Sequence, residues 1–169
     1  NIYYNKTNLN LQLKFHNYVT FETKNHLLQN SELKYSYSQL FDTVYFEIRT
    51  KCNSQCSFCA ASIQNETRPD ITMDLNLYKK AINELSNLKF DGTIAFHVNS
   101  EPLLVKNIDD YISYARQKVP NSWIQILSNG KSLNSNNGKK IIEAGINELS
   151  LNIYNNNLDA KLPENIKNF

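Results

Sequence analysis

Between Thr43 and Ile153, short runs of β-branched and aromatic residues alternate with amphipathic stretches of helical period. A chain patterned this way folds as repeated βα units on a parallel sheet. Four strands are predicted: Thr43 to Thr50 (TVYFEIRT), Thr93 to Val98 (TIAFHV), Trp123 to Leu127 (WIQIL) and Glu148 to Ile153 (ELSLNI). Between the first two, Tyr78, Ala81, Ile82, Leu85 and Leu88 recur at helical spacing and put one apolar stripe toward the sheet. Thr72 or Asp74 is placed to cap that helix, and Asp91-Gly92 supplies the turn into the next strand. A second helix carries Ile108, Tyr111, Ile112, Ala115 and Val119 on one face and stops at Pro120. A shorter third helix, around Lys139 to Ala144, ends at Gly145. Such units build either a doubly wound sheet or a barrel, and in both the working loops follow the C-terminal ends of the strands.

The chain has 169 residues, enough for one domain with a core of its own, since a chain of this size buries roughly 70% of its unfolded surface. Lys and Arg number 18 against 16 Asp and Glu, and a net charge of +2 gives no electrostatic reason to expect nucleic acid or a membrane surface as partner. No apolar run approaches a transmembrane length, and the opening NIYYNKTNLNLQLKF lacks the apolar segment and cleavage site of a secretory signal, so a cytoplasmic protein is expected. Residues 1–42 break the alternation and read as an N-terminal extension of hairpins or irregular structure packed on a core domain of residues 43–169. Asn is abundant throughout, so single Asn residues carry little weight. The chain opens at Asn1 without a methionine, which reads as a trimmed or incomplete N-terminus.

All three cysteines, Cys52, Cys56 and Cys59, fall in the loop directly after the first strand, as C-x3-C-x2-C. An odd, clustered set does not make a disulfide framework. A closed zinc site needs four ligands. No fourth cysteine exists, and neither His26 nor His97 has the short spacing of a zinc knuckle, so zinc would need a distant fourth ligand or an open position. Iron–sulfur clusters favour thiolate, and a four-iron cluster held by three cysteines leaves one iron free to bind something else.

The string YFEIRTKCNSQCSFC resembles the opening of the radical S-adenosylmethionine (radical SAM) enzymes. The resemblance implies a partial (βα) barrel with a [4Fe–4S] cluster on Cys52, Cys56 and Cys59, and Phe58 as the family's aromatic before the last cysteine. It further implies that S-adenosyl-L-methionine chelates the open iron through its amino and carboxylate groups. Reductive cleavage to methionine and a 5′-deoxyadenosyl radical, which abstracts hydrogen from a substrate, would follow.

Three later segments resemble the family in the same order. HVNSEPLL is similar to its Gly-Gly-Glu-Pro segment, with Asn99 and Ser100 in place of the glycines and Glu101 and Pro102 retained. Non-glycine residues resist positive φ, so the backbone path there is a point of departure. Glu101 is expected to act through the backbone it positions, so that Glu101→Gln, which keeps the turn, should be milder than a change at Pro102 that frees it. ILSNG is similar to Thr-Asn-Gly and places the Ser128 hydroxyl near the cofactor's carboxylate or ribose. In AGINELSLNIY the ribose-contacting position, seven past Gly145, is Asn152, with Ser150 in reserve on the same strand face. His97 reads either as a core histidine or as a residue facing substrate, and Lys139-Lys140 as a solvated helix face.

The resemblance spans Tyr45 to Tyr154 and four βα units, where a typical member has six. A sheet ending at the fourth strand leaves an edge that must be paired or covered. A longer parent protein, a second chain or residues 1–42 would do so, and the fragment reading is the favoured one. Many relatives that share EPLL and SNG continue into a cysteine-rich, SPASM-like domain with auxiliary clusters. The family further implies oxidoreductase or transferase chemistry and a small electron-donor protein of flavodoxin or ferredoxin type. Substrate identity is not encoded in these residues. The competing readings are a zinc or iron–sulfur binding module without catalysis, and an inactive remnant of the family.

Overall fold

A computed structural model describes residues 2–5, 8–13, 41–63, 67–153 and 164–167. Six strands form one sheet: β1 (Ile2–Asn5), β2 (Asn8–Leu13), β3 (Thr43–Tyr45), β4 (Thr93–Phe96), β5 (Trp123–Ser128) and β6 (Glu148–Leu151), in the order β2-β1-β6-β5-β4-β3. The four predicted strands lie side by side and parallel in chain order, with Thr43 opposite Thr93, Ile94 opposite Ile124 and Ile126 opposite Leu149. This is the expected α/β architecture. Period-two alternation sends Ile94, Phe96, Ile124, Ile126, Leu149 and Leu151 into one core with helix residues such as Tyr78, Ile82, Ile112 and Ile141.

The strands differ in extent from the sequence pattern: β4 ends at Phe96, two residues before the predicted Val98, β5 runs one residue further than predicted, to Ser128, and β3 and β6 both stop early. β3 stops at Tyr45, with one further ladder bond from Phe46 N–H to Ala95 O. The extended chain then exchanges partners: Met73 N–H donates to Ile48 O and Thr50 N–H to Ile71 O, with Arg49 bridged antiparallel to Thr72. Ile48 stays buried through the exchange, so the apolar pattern persists although the sheet partner changes. β6 ends at Leu151, two residues earlier than predicted.

The edge of β6 is covered by the chain itself. β1 pairs antiparallel with β6, Ile2 opposite Leu151 and Asn5 opposite Glu148, and β2 pairs antiparallel with β1. Residues 1, 6, 7 and 14–40 of the predicted extension, His26 among them, lie outside the described residues, as does Tyr154.

Five helices are described: α1 (Ala60–Ile63), α2 (Leu75–Asn87), α3 (Ile108–Lys118), α4 (Ser135–Glu143) and α5 (Glu164–Lys167). Asp74, not Thr72, caps α2 by accepting from the N–H groups of Asn76 and Leu77. Leu88 departs from the predicted stripe; it follows the last helical residue and is 48% exposed, because the chain turns away at Lys89 (φ 56°). α4 begins earlier than its apolar spacing suggests, through a reciprocal capping box between Asn134 and Asn137. It ends at Gly145, whose φ of 95° suits glycine. No helix among the described residues is long and apolar enough to cross a membrane.

Candidate active site

The loops after the four parallel strands surround a cavity of about 700 Å³. Every predicted site residue lines it: Cys52, Cys56, Phe58 and Cys59 from the loop after β3, Asn99, Ser100 and Glu101 from the loop after β4, Ser128 from the end of β5, and Asn152 just past β6. Local structure explains this convergence. Alternation that buries Phe96, Ile126 and Leu151 turns the next residues, His97, Leu127 and Asn152, toward the cavity. Ser150, the reserve candidate, is buried and does not line it.

The cysteine loop turns at Cys56, where the Cys59 N–H donates to the Cys56 carbonyl, and runs directly into α1, with Ile63 N–H on the Cys59 carbonyl. Cys52 is exposed and the other two are half-buried, all as free thiols. Among the described residues no three His, Cys, Asp or Glu side chains are gathered at metal-binding distances, so the thiols share one cavity wall without forming a converged ligand set. Their chemistry still discriminates between ligands. Three soft donors from one loop suit an iron–sulfur cluster better than a closed zinc site, which needs a fourth ligand. Phe58 stands at the lip with 63% of its surface exposed.

The loop after β4 is built around Glu101, which is only 2% exposed. Its backbone N–H donates to the Lys51 carbonyl at 3.1 Å, tying this loop to the cysteine loop. Its Oε1 accepts from Leu103 N–H at 3.0 Å and from the Ser128 hydroxyl at 2.7 Å, and its Oε2 accepts from Asn129 N–H at 2.8 Å. The Ser128 hydroxyl also accepts from Gly130 N–H at 3.0 Å. Ser128 therefore lies at the cavity with its hydroxyl already engaged on both sides, a partner set that the strand-end motif does not reveal. Among the described non-glycine residues only Lys89 has positive φ, so Asn99 and Ser100 follow their path without the conformation that glycine would favour. Asn99 N–H is held by Glu47 Oε1 at 3.1 Å, and Glu47 in turn pairs with Arg68.

His97 lies at the cavity rather than wholly in the core. Its ring meets Tyr45 edge-on, with centroids 5.2 Å apart, and its Nδ1 is buried with no hydrogen-bond partner among the described residues. Burial lowers its pKa from the usual 6.5, opposed in part by the Glu148 carboxylate. The residue that sequence reasoning missed is Asn129. It sits inside the quoted ILSNG segment, but the abundance of asparagine hid it. Its side chain reaches Asn53, Ser54 and Cys52 of the cysteine loop.

A four-stranded parallel βα sheet with three clustered cysteines and an acidic-proline turn at its C-terminal end is similar to a radical SAM core, and the relatives that the chain matches support membership of the radical SAM superfamily. Among curated proteins it is 33% identical over 108 residues to the S-adenosyl-L-methionine-dependent 2-deoxy-scyllo-inosamine dehydrogenase of Niallia circulans, covering 64% of this chain and 43% of that one. Among solved structures it resembles selenomethionine BtrN in an open conformation, at TM-score 0.62 and 30% identity over 70% of this chain and 53% of BtrN. It also resembles BtrN in complex with AdoMet and 2-DOIA, at TM-score 0.65 and 29% identity over 70% and 48% of the two chains. The chain thus spans about half the length of the relatives it matches. No family model matches it.

Proposed function

We propose that this chain forms the cofactor-binding part of a radical SAM enzyme that cleaves S-adenosyl-L-methionine reductively for hydrogen abstraction. One observation carries the reading: four motifs spread over a hundred residues line a single cavity at the ends of four parallel strands. Cys52, Cys56 and Cys59 would hold a [4Fe–4S] cluster by their thiolates. When bound, the cluster supplies the single electron that breaks a carbon–sulfur bond of the sulfonium, leaving methionine and a 5′-deoxyadenosyl radical.

The chain's own residues bind and orient. Asn152 offers a cavity-facing amide that makes no side-chain hydrogen bond among the described residues, and it would take the ribose hydroxyls. The backbone at Asn99 and Ser100, held by Glu47 and Glu101, would meet the methionyl amino group. Phe58 would screen one side of the cofactor from water. The relatives favour a dehydrogenase among the possible reactions, so the first substrate class to test is the aminocyclitol for which the Niallia circulans enzyme is named. A small flavodoxin- or ferredoxin-type protein would deliver the electron.

Anaerobic reconstitution with iron and sulfide tests the reading. About four irons and four sulfides per chain are expected, with a visible absorbance that dithionite bleaches and a slow release of 5′-deoxyadenosine from added S-adenosyl-L-methionine. Cys52→Ala, Cys56→Ala and Cys59→Ala should each lose the cluster. Stoichiometric zinc without sulfide would overturn the proposal.

A further inference from the structure

Asn129 stands one residue past Ser128, and its side chain crosses from the end of β5 to the cysteine loop. Nδ2 lies 2.8 Å from Asn53 Oδ1, 3.1 Å from Ser54 Oγ and 3.7 Å from Cys52 Sγ. Three further bonds fix this orientation. The Asn129 Oδ1 accepts from Lys131 N–H at 2.9 Å, so turning the amide over would set its NH2 against that N–H. The Asn129 backbone N–H is held by the buried Glu101 carboxylate. On the other side, Asn53 Nδ2 donates to Ser132 Oγ at 3.0 Å, which turns its own Oδ1 toward Asn129.

We propose that Asn129 is a positioning residue that fixes the cysteine loop and donates an N–H to the Cys52 sulfur, raising the reduction potential of the cluster held there. The proposal rests on the cluster reading above. Cys52 is the exposed cysteine of the set. On ligation the thiol becomes a thiolate, a stronger acceptor than the thiol now 3.7 Å from Nδ2, and the contact strengthens. Reduction adds negative charge to the cluster and its sulfurs. An N–H shared between the loop oxygens and one of these sulfurs therefore stabilises the reduced form more than the oxidised one, and hydrogen bonds to sulfur are among the determinants of cluster potential. Glu101 and Lys131 hold Asn129 before any cluster binds, so the donor side of the contact is fixed in advance.

The test is a redox titration of reconstituted protein, followed by the electron paramagnetic resonance signal of the reduced cluster, for the parent, Asn129→Leu and Asn129→Asp. Iron and sulfide content equal to the parent's is expected, with the midpoint shifted to more negative potential in Asn129→Leu. Asn129→Asp, which keeps the Lys131 bond but puts a carboxylate beside the sulfur, should shift further in the same direction. A full cluster at the parent's potential in Asn129→Leu overturns the proposal. So does loss of the cluster from both variants with an unchanged thermal transition, since that marks a tether and nothing more. Failure of the parent itself to take up iron and sulfide would instead count against the cluster reading.

Discussion

Ser128 donates its hydroxyl to Glu101 Oε1 at 2.7 Å, and both side chains are buried. The bond joins the loops that follow β4 and β5. Through the Glu101 N–H on the Lys51 carbonyl, the same residue also holds the segment that leads into the cysteines. Glu101 thus acts as a hub between three loops, a role that extends beyond the turn of its own segment.

That geometry gives Glu101→Gln a cost of its own, beyond any effect on the turn. The carboxylate receives three donors, from Leu103, Ser128 and Asn129, and donates nothing. A glutamine has one acceptor oxygen and one NH2, so in either orientation an amide N–H faces another N–H in a buried site. Glu101→Gln should lose about 2 to 3 kcal/mol of stability, the scale of buried charge-assisted hydrogen bonds left unmade. Urea denaturation checks it, and a midpoint equal to the parent's would show that the loops tolerate the mismatch.

His97 predicts a pH dependence. Its folded pKa is depressed by burial, so in the unfolded chain, near 6.5, it binds a proton more readily than in the fold. Above 6.5 both states are neutral at this site and its contribution is constant. As pH falls below 6.5 the unfolded state gains the proton first, and stability declines until the folded pKa is passed. Tyr45 packs on the ring and the Glu148 carboxylate moderates the shift. His97→Gln should flatten the fall in stability as pH drops below about 6.5, measured by thermal melts on either side of that pH. An unchanged slope would place the titrating group elsewhere.

Arg116, in the last turn of α3, is a structural anchor away from the cavity. Its Nε donates to Gly145 O at 3.0 Å, one terminal nitrogen donates to Pro120 O at 2.7 Å and Ser122 O at 2.9 Å, and the other to Asn147 Oδ1. Asn147 Oδ1 also accepts from Ile124 N–H, so the fork ties α3 to the starts of β5 and β6. Arg116→Lys keeps the charge but not the fork, and should cost roughly 2 to 4 kcal/mol, since several partly buried carbonyls lose their donors. A chain of this size should then melt roughly 4 to 16 °C lower. A shift under about 1 °C would mean that a lysine or water replaces the fork.

The strands and helix faces were legible because burial imposes period two or 3.6 on local sequence, as at Ile94, Phe96, Ile124 and Ile126, or Tyr78, Ile82 and Leu85. Pairing was less legible. The exchange of Ile48 from β4 to Met73, and the seating of Ile2 to Asn5 on β6, are long-range choices that local pattern does not specify. At the site, the cysteines and Glu101 stood out by spacing. The bonds from Glu101 to Ser128 and from Asn129 to the cysteine loop depend on how neighbouring strand ends are juxtaposed, which only the assembled sheet shows.

Ser128 and Asn152, both predicted from sequence as cofactor contacts, should separate in experiment. They are neighbours across the sheet, where the Asn152 N–H donates to the Ser128 carbonyl at 2.8 Å through the backbone, and that bond survives either side-chain change. The Asn152 side chain lines the cavity and makes no hydrogen bond among the described residues, so Asn152→Ala should alter stability by no more than about 0.5 kcal/mol. On cluster-loaded, unreduced protein it should weaken S-adenosyl-L-methionine binding by about 1 to 3 kcal/mol, the loss of one hydrogen bond in a partly dry site. The Ser128 hydroxyl bonds Glu101 and Gly130, so Ser128→Ala should first cost about 1.5 to 3 kcal/mol of folding stability. Its effect on binding should follow indirectly, as the loops after β4 and β5 loosen. Calorimetric titration with S-adenosyl-L-methionine beside urea denaturation of each variant gives both numbers. If Asn152→Ala unfolds the protein readily yet binds S-adenosyl-L-methionine as the parent does, the residue is structural and the ribose contact lies elsewhere on the cavity wall.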